Sequence, residues 1–517
     1  MSKNKRSQKR KGKSKLNSRS QRAKINSIVS FITQILTLIC GIMIPRFMIG
    51  AFGSEAYGAT SSIGQFLAYI TLLEGGVGGV ARAVLYKPLA QKDDQTVSAI
   101  MGEVRHFFRI IAVIFAVQVL VVAVSFKSIS HIECMDWITT FLLVLAISIS
   151  TFGQYFIGIS HSILLQADQK VYVTNLVSIV ATVLNTVSIV VLIGFDCDLI
   201  IVKLVSSIIF VMRPIALSLY VRKHYGVYKQ QRSSKTKYLT QKWAGLSQHI
   251  AYFLHSNTDV AILTLLADLR VVAVYTVYNM VITHLQSLVI SFASGMEALF
   301  GDMLARNERD SLHKTFQTYE AMLSVVSVAF FSVAAALILP FVTLYTAGIT
   351  DVDYIQPVFA VLMIVTAMSY CWRQPYHSIV IAAGHFKQTK MAAYGEAAIN
   401  IGLSVILVLK FGLVGVAIGT FAATWFRFVY YVCYLSKNIF DRPIKFFIKR
   451  LLINLASFGI NCGIGYGITL ILPTDNYLQW MICGAVLVMT VGASTFFMNC
   501  IFYREESRAI FKKLVKR

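Results

Sequence analysis

What most constrains this chain is a succession of apolar runs, each long enough to cross a bilayer. A hydrocarbon core needs about 20 consecutive apolar residues per helix. Fourteen runs qualify, at roughly 25–49, 57–81, 107–126, 137–160, 171–194, 197–220, 245–267, 271–298, 319–346, 354–383, 389–410, 412–435, 449–472 and 477–502. Backbone inside lipid has no water to bond, so runs of this length must satisfy their own amides as helices. Composition agrees. The 517 residues are 56% hydrophobic and only 14% charged, with mean hydropathy +0.66, where soluble domains carry about 25% charge. The spacing predicts an all-α polytopic membrane protein with about fourteen transmembrane helices.

The net charge of +24 fixes an orientation, because it is unevenly placed. With the N-terminus inside, the inner segments are the N-terminal tail, 82–109, 161–170, 213–244, 299–318, 384–390, 436–450 and the C-terminal end. They hold 41 of the 48 Lys/Arg, and the outer loops and helix ends hold only Arg46, Lys127, Arg270 and Lys410. Basic residues stay on the cytoplasmic side, so both termini are expected there, and an odd number of helices would break the alternation. Residues 1–24 hold eleven Lys/Arg, no acid and almost nothing apolar. Such a segment cannot bury a core and is expected to be disordered. It has no apolar stretch before a cleavage site, so it is not a signal peptide. Its charge suits a topology determinant that also attracts anionic membrane lipids. It has no aromatic partner residues that would suggest nucleic-acid binding.

Helices seven to twelve read as a weak copy of one to six. The segment 185–213 can be laid on 400–427, with Asn185 on Asn400 and Arg213 within one residue of Arg427. Internal repeats of this kind are common in secondary transporters, with the substrate site at the repeat interface. The expected organisation is a basic tail (1–24), a first lobe of six helices (25–220), a basic cytoplasmic linker (221–244), a second lobe of six (245–436), two further helices (437–503) and a basic cytoplasmic tail (504–517).

Charges inside the spans are the candidate functional residues. Each costs about 2.5–3.5 kcal/mol at mid-membrane, and those that persist face a cavity or a partner. They are Arg46, Glu74, Lys203, Asp259, Arg373, Glu396 and Arg427. Glu74 has Gly78 and Arg82 at i+4 and i+8, so it either pairs with Arg82 as a structural ion pair or faces a cavity. Gly75 and Gly79 form a GxxxG that permits close helix approach. Asp259 follows His255 and Asn257 with no basic residue within one turn, which favours a wet, cavity-facing position. Arg373 precedes Pro375, expected to break the helix locally, and stacking on Trp372 or Tyr376 is its structural alternative. Arg46 and Lys203 can snorkel. Arg427 cannot easily do so and needs an anion or a partner, for which Glu396 is placed at a compatible depth.

Enzyme signatures are absent. There is no HExxH, Walker A or GxSxG motif and no metal-spaced His/Cys set, so no catalytic residue, metal or cofactor is expected and the chain reads as a non-enzyme. Eight cysteines are scattered without a CxxC. Only Cys134 and Cys197 fall near short loops.

Three patches carry a family resemblance. "PRFMIGAFGSEAYGA" (45–59) is similar to an R-x-x-G-x-x-x-[YF]-G start of helix two. "NTDVAILTLLADLRVVAVYTVYNMV" (257–281) is similar to a helix-seven aspartate followed by a short turn and a V-x-x-Y-x-x-Y helix. The third is the pair of helix hairpins at 171–213 and 389–427. The chain resembles the polysaccharide exporter and O-antigen flippase branch of the multidrug/oligosaccharidyl-lipid/polysaccharide (MOP) superfamily, and "EGG" followed by "YKPLA" is similar to the lipid II flippase branch. The resemblance implies two pseudo-symmetric six-helix lobes around a central cavity, with two C-terminal helices added.

The function it implies is alternating-access export of an undecaprenyl-pyrophosphate-linked oligosaccharide, across a bacterial inner membrane, for cell-surface polysaccharide such as lipopolysaccharide. A pyrophosphate calls for guanidinium groups, which points to Arg46, Arg373 and Arg427. Asp259 and Glu74 are the carboxylates available to couple transport to H⁺ or Na⁺. Arg82 and Glu396 are the structural partners. Polysaccharide polymerase or assembly proteins are the implied protein partners. Lipid II flipping, cation-coupled drug antiport on the same fold, and a polytopic glycosyltransferase or polymerase are the alternatives. Short outer loops argue against the last.

Overall fold

The computed structural model describes residues 2–74, 77–225, 246–291, 296–440 and 442–502. Among them there are helices and no strands. The chain crosses back and forth as α1 (2–52), α2 (54–91), α3 (Asp94–Ser130), α4 (Trp137–Ala167), α5 (Val171–Gly194), α6 (Leu199–His224), α7 (Leu246–Leu266), α8 (Leu269–Ser291), α9 (Arg309–Tyr345), α10 (Pro357–Ala382), α11 (386–411), α12 (413–438), α13 (Lys445–Ile471) and α14 (Tyr477–Phe502). A short helix, Met296–Ala305, lies between α8 and α9. The expected fourteen helices are therefore present, and ten continuous helical stretches among the described residues are long and apolar enough to cross a membrane. Two reversals are single glycines, Gly53 (φ 81°) and Gly412 (φ 51°). Both have the positive φ that only glycine adopts without strain, so each joins two antiparallel helices with almost no loop.

The helices show the burial pattern of a membrane protein. On α3, Ile110, Val113, Val117, Val121 and Val124 form one exposed apolar stripe at three- and four-residue spacing. Phe108, Ile111, Phe115, Val119 and Phe126 of the same helix are buried. Both faces are apolar because lipid, not water, meets the outer one. α3 and α9 each run 37 residues, about 55 Å at 1.5 Å per residue. That is well beyond the hydrocarbon core, so their ends must project past it.

The chain divides into two compact units, 1–250 and 251–517. In the first, α5 packs on α1 and α6, and α6 on α4. α4 contains a π-helical turn, Gln154–Gly158. There α4 and α6 approach so closely that a Cβ on Gly158 would lie 2.8 Å from Pro214. In the second, α10 packs on α9 and on α11 and α12, while α13 and α14 cover α9 and each other. Polar side chains stitch that hairpin together. Asn461 donates to Thr495 at 2.7 Å, and Arg442 and Arg450 both donate to Glu320 at 2.9 Å.

Some expectations change. Residues 2–24 of the tail are helical, continuous with α1. A helix already nucleated by a membrane span extends without a new nucleation cost, and Lys, Arg and Gln are good helix formers. α2 is not one continuous helix. It runs to Ala68, tightens to a 3₁₀ stretch at Tyr69–Glu74 and resumes at Val77–Gln91. Pro375 does not break α10, which continues to Ala382. Of the expected linker 221–244, residues 221–225 end α6 and its last residue, and the rest lies outside the described residues, as do Gly75 and the tail 504–517. All eight cysteines are free thiols, Cys134 and Cys197 included.

Candidate functional site

Each unit holds a polar cavity of its own. In the first, a cavity of about 280 Å³ is lined from α2 by Glu74 and Arg82, from α4 by Gln154 and Gln166, from α5 by Ser178 and from α6 by Arg213. Arg82 Nη1 donates to Gln166 Oε1 at 2.5 Å, and Gln166 Nε2 in turn to Ser162 at 3.2 Å. Arg213 Nη2 donates to Ser178 Oγ at 2.8 Å. Glu74 accepts a hydrogen bond from the Tyr155 hydroxyl. Glu74 and Arg82 thus share a cavity, but no ion pair joins them among the described residues. The 3₁₀ stretch that ends at Glu74 departs from the single α-helical register that would have placed them on one stripe. The structural pairing expected for Arg82 is replaced by an amide partner on α4.

In the second unit a cavity of about 320 Å³ is lined by Asp259 of α7, Tyr275, Asn279 and Gln286 of α8, Tyr370 of α10 and Thr420 of α12. Asp259 is 5% exposed. Its carboxylate accepts from Tyr275 at 3.1 Å and from the Thr420 hydroxyl at 2.9 Å, with Asn400 Nδ2 at 3.5 Å. Asn400 also donates to Thr420 Oγ1 at 2.8 Å, while its own Oδ1 is buried without a hydrogen-bond partner. Among the described residues no cation pairs with Asp259, and its carboxylate is held there by neutral donors. Buried charges are ordinarily paired. The oxygens of Asp259, Thr420 and Tyr275 form a hard donor set suited to a proton or a small metal cation. The wet face expected on α7 itself does not account for this. Asn257 bonds back to Phe253 of its own helix, and the partners come from α8, α11 and α12.

Arg373 and Arg427 are brought together, but on a carboxylate rather than in a cavity. Arg373 Nη1 meets Glu396 Oε1 at 2.5 Å, and Arg427 Nη1 bonds Glu396 Oε2. Arg427 also donates to the Tyr431 hydroxyl at 2.9 and 3.0 Å. All three charges are 5% exposed or less. Arg373 lies 4.5 Å over the Tyr370 ring, and it is Tyr370, not the guanidinium, that reaches the cavity. Neither expected aromatic partner, Trp372 or Tyr376, plays that part; Tyr376 instead bonds Glu320. The arginines read as pyrophosphate ligands thus form a buried clamp joining α10, α11 and α12, with Glu396 as the partner expected for Arg427. Arg46 is half-buried in α1, seven residues before the Gly53 reversal.

Sequence reasoning did not pick out Tyr155, Gln166, Ser178, Tyr275 or Thr420. Neutral polar residues are common in spans and carry no marker of which helix they will face. Arg213 had a signal, its register with Arg427 in the repeat, but its place at the inner end of α6 suggested a topology charge.

Solved structures resemble this architecture. The lipid II flippase MurJ, in an inward closed conformation, matches with a TM-score of 0.71 at 16% identity, over 93% of this chain and 99% of that one. A eukaryotic MATE transporter matches at 0.55 and 11% identity, over 81% and 97%. An inward-facing multidrug resistance MATE transporter of the MOP superfamily gives 0.53 and 14%, over 79% and 98%. The chain shares its fold with these transporters. No protein-family profile and no curated protein matches the sequence.

Proposed function

We propose that the protein is an inner-membrane flippase that exports an undecaprenyl-pyrophosphate-linked oligosaccharide by alternating access, coupled to H⁺ or Na⁺ at Asp259. The observation that carries the coupling is the Asp259 carboxylate itself, buried at a cavity wall with neutral donors only. A cation bound there removes an uncompensated buried charge. It therefore stabilises whichever arrangement of α7, α8, α11 and α12 gathers these oxygens, and its release permits the other. The choice of a lipid-linked cargo is supported by the sequence patches at 45–59 and 257–281 and by the likeness to a flippase over nearly the whole chain. Arg373 and Arg427 are committed to Glu396, so the proposal does not use them as headgroup ligands. In this scheme Glu74 has a supporting place beside Tyr155. Lipid II itself is the alternative cargo that the same likeness favours.

Reconstituted vesicles test this. Wild-type protein should move a tagged polyprenyl-pyrophosphate oligosaccharide at a rate that follows an imposed H⁺ or Na⁺ gradient. Asp259→Asn, which keeps the hydrogen bonds and removes the charge, should remain folded and lose the gradient dependence. Gradient-driven transport by Asp259→Asn at the wild-type rate would sink the coupling role. Transport of a cationic drug in place of the glycan would favour the antiporter reading.

A further inference from the structure

We infer that the first unit's cavity is an oxyanion site in which Arg82 and Arg213 take a phosphate-type group between them, separate from the Asp259 cavity of the second unit. For its lipid source it rests on the flippase assignment above.

Three ionisable side chains line this cavity, Glu74, Arg82 and Arg213, so two guanidinium groups face one carboxylate. Each arginine is held by a neutral group, Gln166 for Arg82 and Ser178 for Arg213. A guanidinium presents five donors in a fork, so one hydrogen bond to a neutral oxygen orients it and leaves most of the fork unspent. Charges within membrane spans ordinarily carry a compensating partner. Here the counterpart of the second unit's clamp is missing. Glu396 lies four residues before Asn400, and the residue four before Asn185 is Ala181. Arg427 is neutralised by Glu396, whereas Arg213, among the described residues, bonds a serine hydroxyl and lies over the Phe210 ring.

The surroundings add donors and space. Gln154 belongs to the π-helical turn of α4, and the adjoining Gly158 lets α4 press on Pro214 beside Arg213. π-Turns are frequent at functional sites. The cavity has room for more than a water-sized ligand, and its Ser178 and Gln154 side chains can donate to oxygen. Its lining comes from the second half of α2, the end of α4, the start of α5 and the second half of α6, the ends joined by the 91–94 and 167–171 turns. Those are the ends whose loops carry the basic residues, so the phosphate of a lipid in that leaflet lies at the right depth. Bidentate guanidinium contacts suit a phosphate or diphosphate, and among the described residues no carboxylate pairs with Arg213 as Glu396 does with Arg427.

Purified full-length protein is titrated with inorganic pyrophosphate in detergent and, in a second arm, presented with undecaprenyl phosphate in phosphatidylcholine nanodiscs. Arg82→Gln and Arg213→Gln should each weaken binding about 10- to 100-fold, and Lys410→Gln, in the second unit, should not. Arginine-dependent binding in the first arm alone identifies a soluble anion, and in the second a lipid headgroup. Wild-type binding in both variants, or no binding by the wild type in either arm, overturns the site. A second measurement needs no variant. Phenylglyoxal modification of Arg82 and Arg213, mapped by peptide mass spectrometry, should be slowed by pyrophosphate and not by sodium chloride of equal ionic strength, and equal rates also overturn it. If binding depends on the arginines while vesicles move no lipid-linked glycan, the flippase assignment fails and the site stands. If glycan moves and binding ignores both arginines, the reverse holds.

Discussion

Arg213 and Arg427 sit at matching places in the two halves of the repeat, one on α6 and one on α12, and their surroundings differ. Arg427 is buried against Glu396 and Tyr431, and Arg373 shares the same glutamate. Arg213 is half-buried at a cavity and bonded to Ser178. The cavities differ in the opposite sense. The first has an excess of guanidinium, and the second has a lone carboxylate and no cation. One scaffold therefore offers an anion-type surface in one half and a cation-type surface in the other. The difference comes down to where a single acid stands on the helix before the arginine.

The largest expected effect is at the clamp. Glu396→Gln leaves two buried guanidinium groups without a carboxylate. Breaking a buried pair from one side costs about 3–5 kcal/mol, so the variant should show a large drop in melting temperature or fail to accumulate in the membrane. Arg213→Gln should leave stability nearly unchanged, because its partner is a half-buried hydroxyl. Equal losses in a thermal unfolding series would erase the distinction between a locked and an available arginine.

A smaller effect comes from moving the acid. Ala181→Glu places a carboxylate on α5 in the register that Glu396 holds on α11. It should draw Arg213 into an ion pair and weaken pyrophosphate binding about tenfold, equivalent to about 1.4 kcal/mol. Overpacking at a buried alanine adds about 1–3 kcal/mol of destabilisation, which is why the binding titration, not the melting temperature, is the readout. Unchanged binding in a folded Ala181→Glu protein would mean that Arg213 does not meet the ligand.

These contrasts also show what the residues disclosed in advance. The spans were legible because apolar length is a one-dimensional property, and the Gly53 and Gly412 reversals fall where the runs break. Asp259 stood out because a charge in a span is rare. Its partners did not, since Tyr275, Asn400 and Thr420 reach it from 16, 141 and 161 residues away. Pairing is a three-dimensional property, and composition gives no hint that Glu396 would take both arginines. Glu74 lines a cavity with Arg82, but the local backbone does not follow the register counted from the sequence. Tyr69–Glu74 is a 3₁₀ stretch, so i+4 and i+8 positions counted from Glu74 do not follow one α-helical stripe.

The smallest effect separates the halves at their helix starts. α3 and α4 begin at Asp93 and Asp136, whose side chains accept from the amides of Thr96 at 3.0 Å and Thr139 at 3.2 Å. In the same ordinal places of the second half, Glu308 and Gln356 make no side-chain cap to α9 and α10. The hydrogen bonds from Thr96 and Thr139 hold both aspartates below the ordinary value of 3.8. A carboxyl held low in the capped state supports the cap fully above 3.8, and that support is lost as the pH falls through the lowered value. Both aspartates are exposed, so the change is local fraying rather than unfolding. Hydrogen exchange at Thr96 and Thr139, normalised to intrinsic rates, should therefore quicken as the pH is lowered below 3.8, while the first turns of α9 and α10 stay unchanged. Asp93→Asn and Asp136→Asn keep a capping oxygen without the titration, and should remove the pH dependence but not the cap. If the first turns of α3 and α4 respond to acid no more than those of α9 and α10, the caps contribute nothing that distinguishes the two halves.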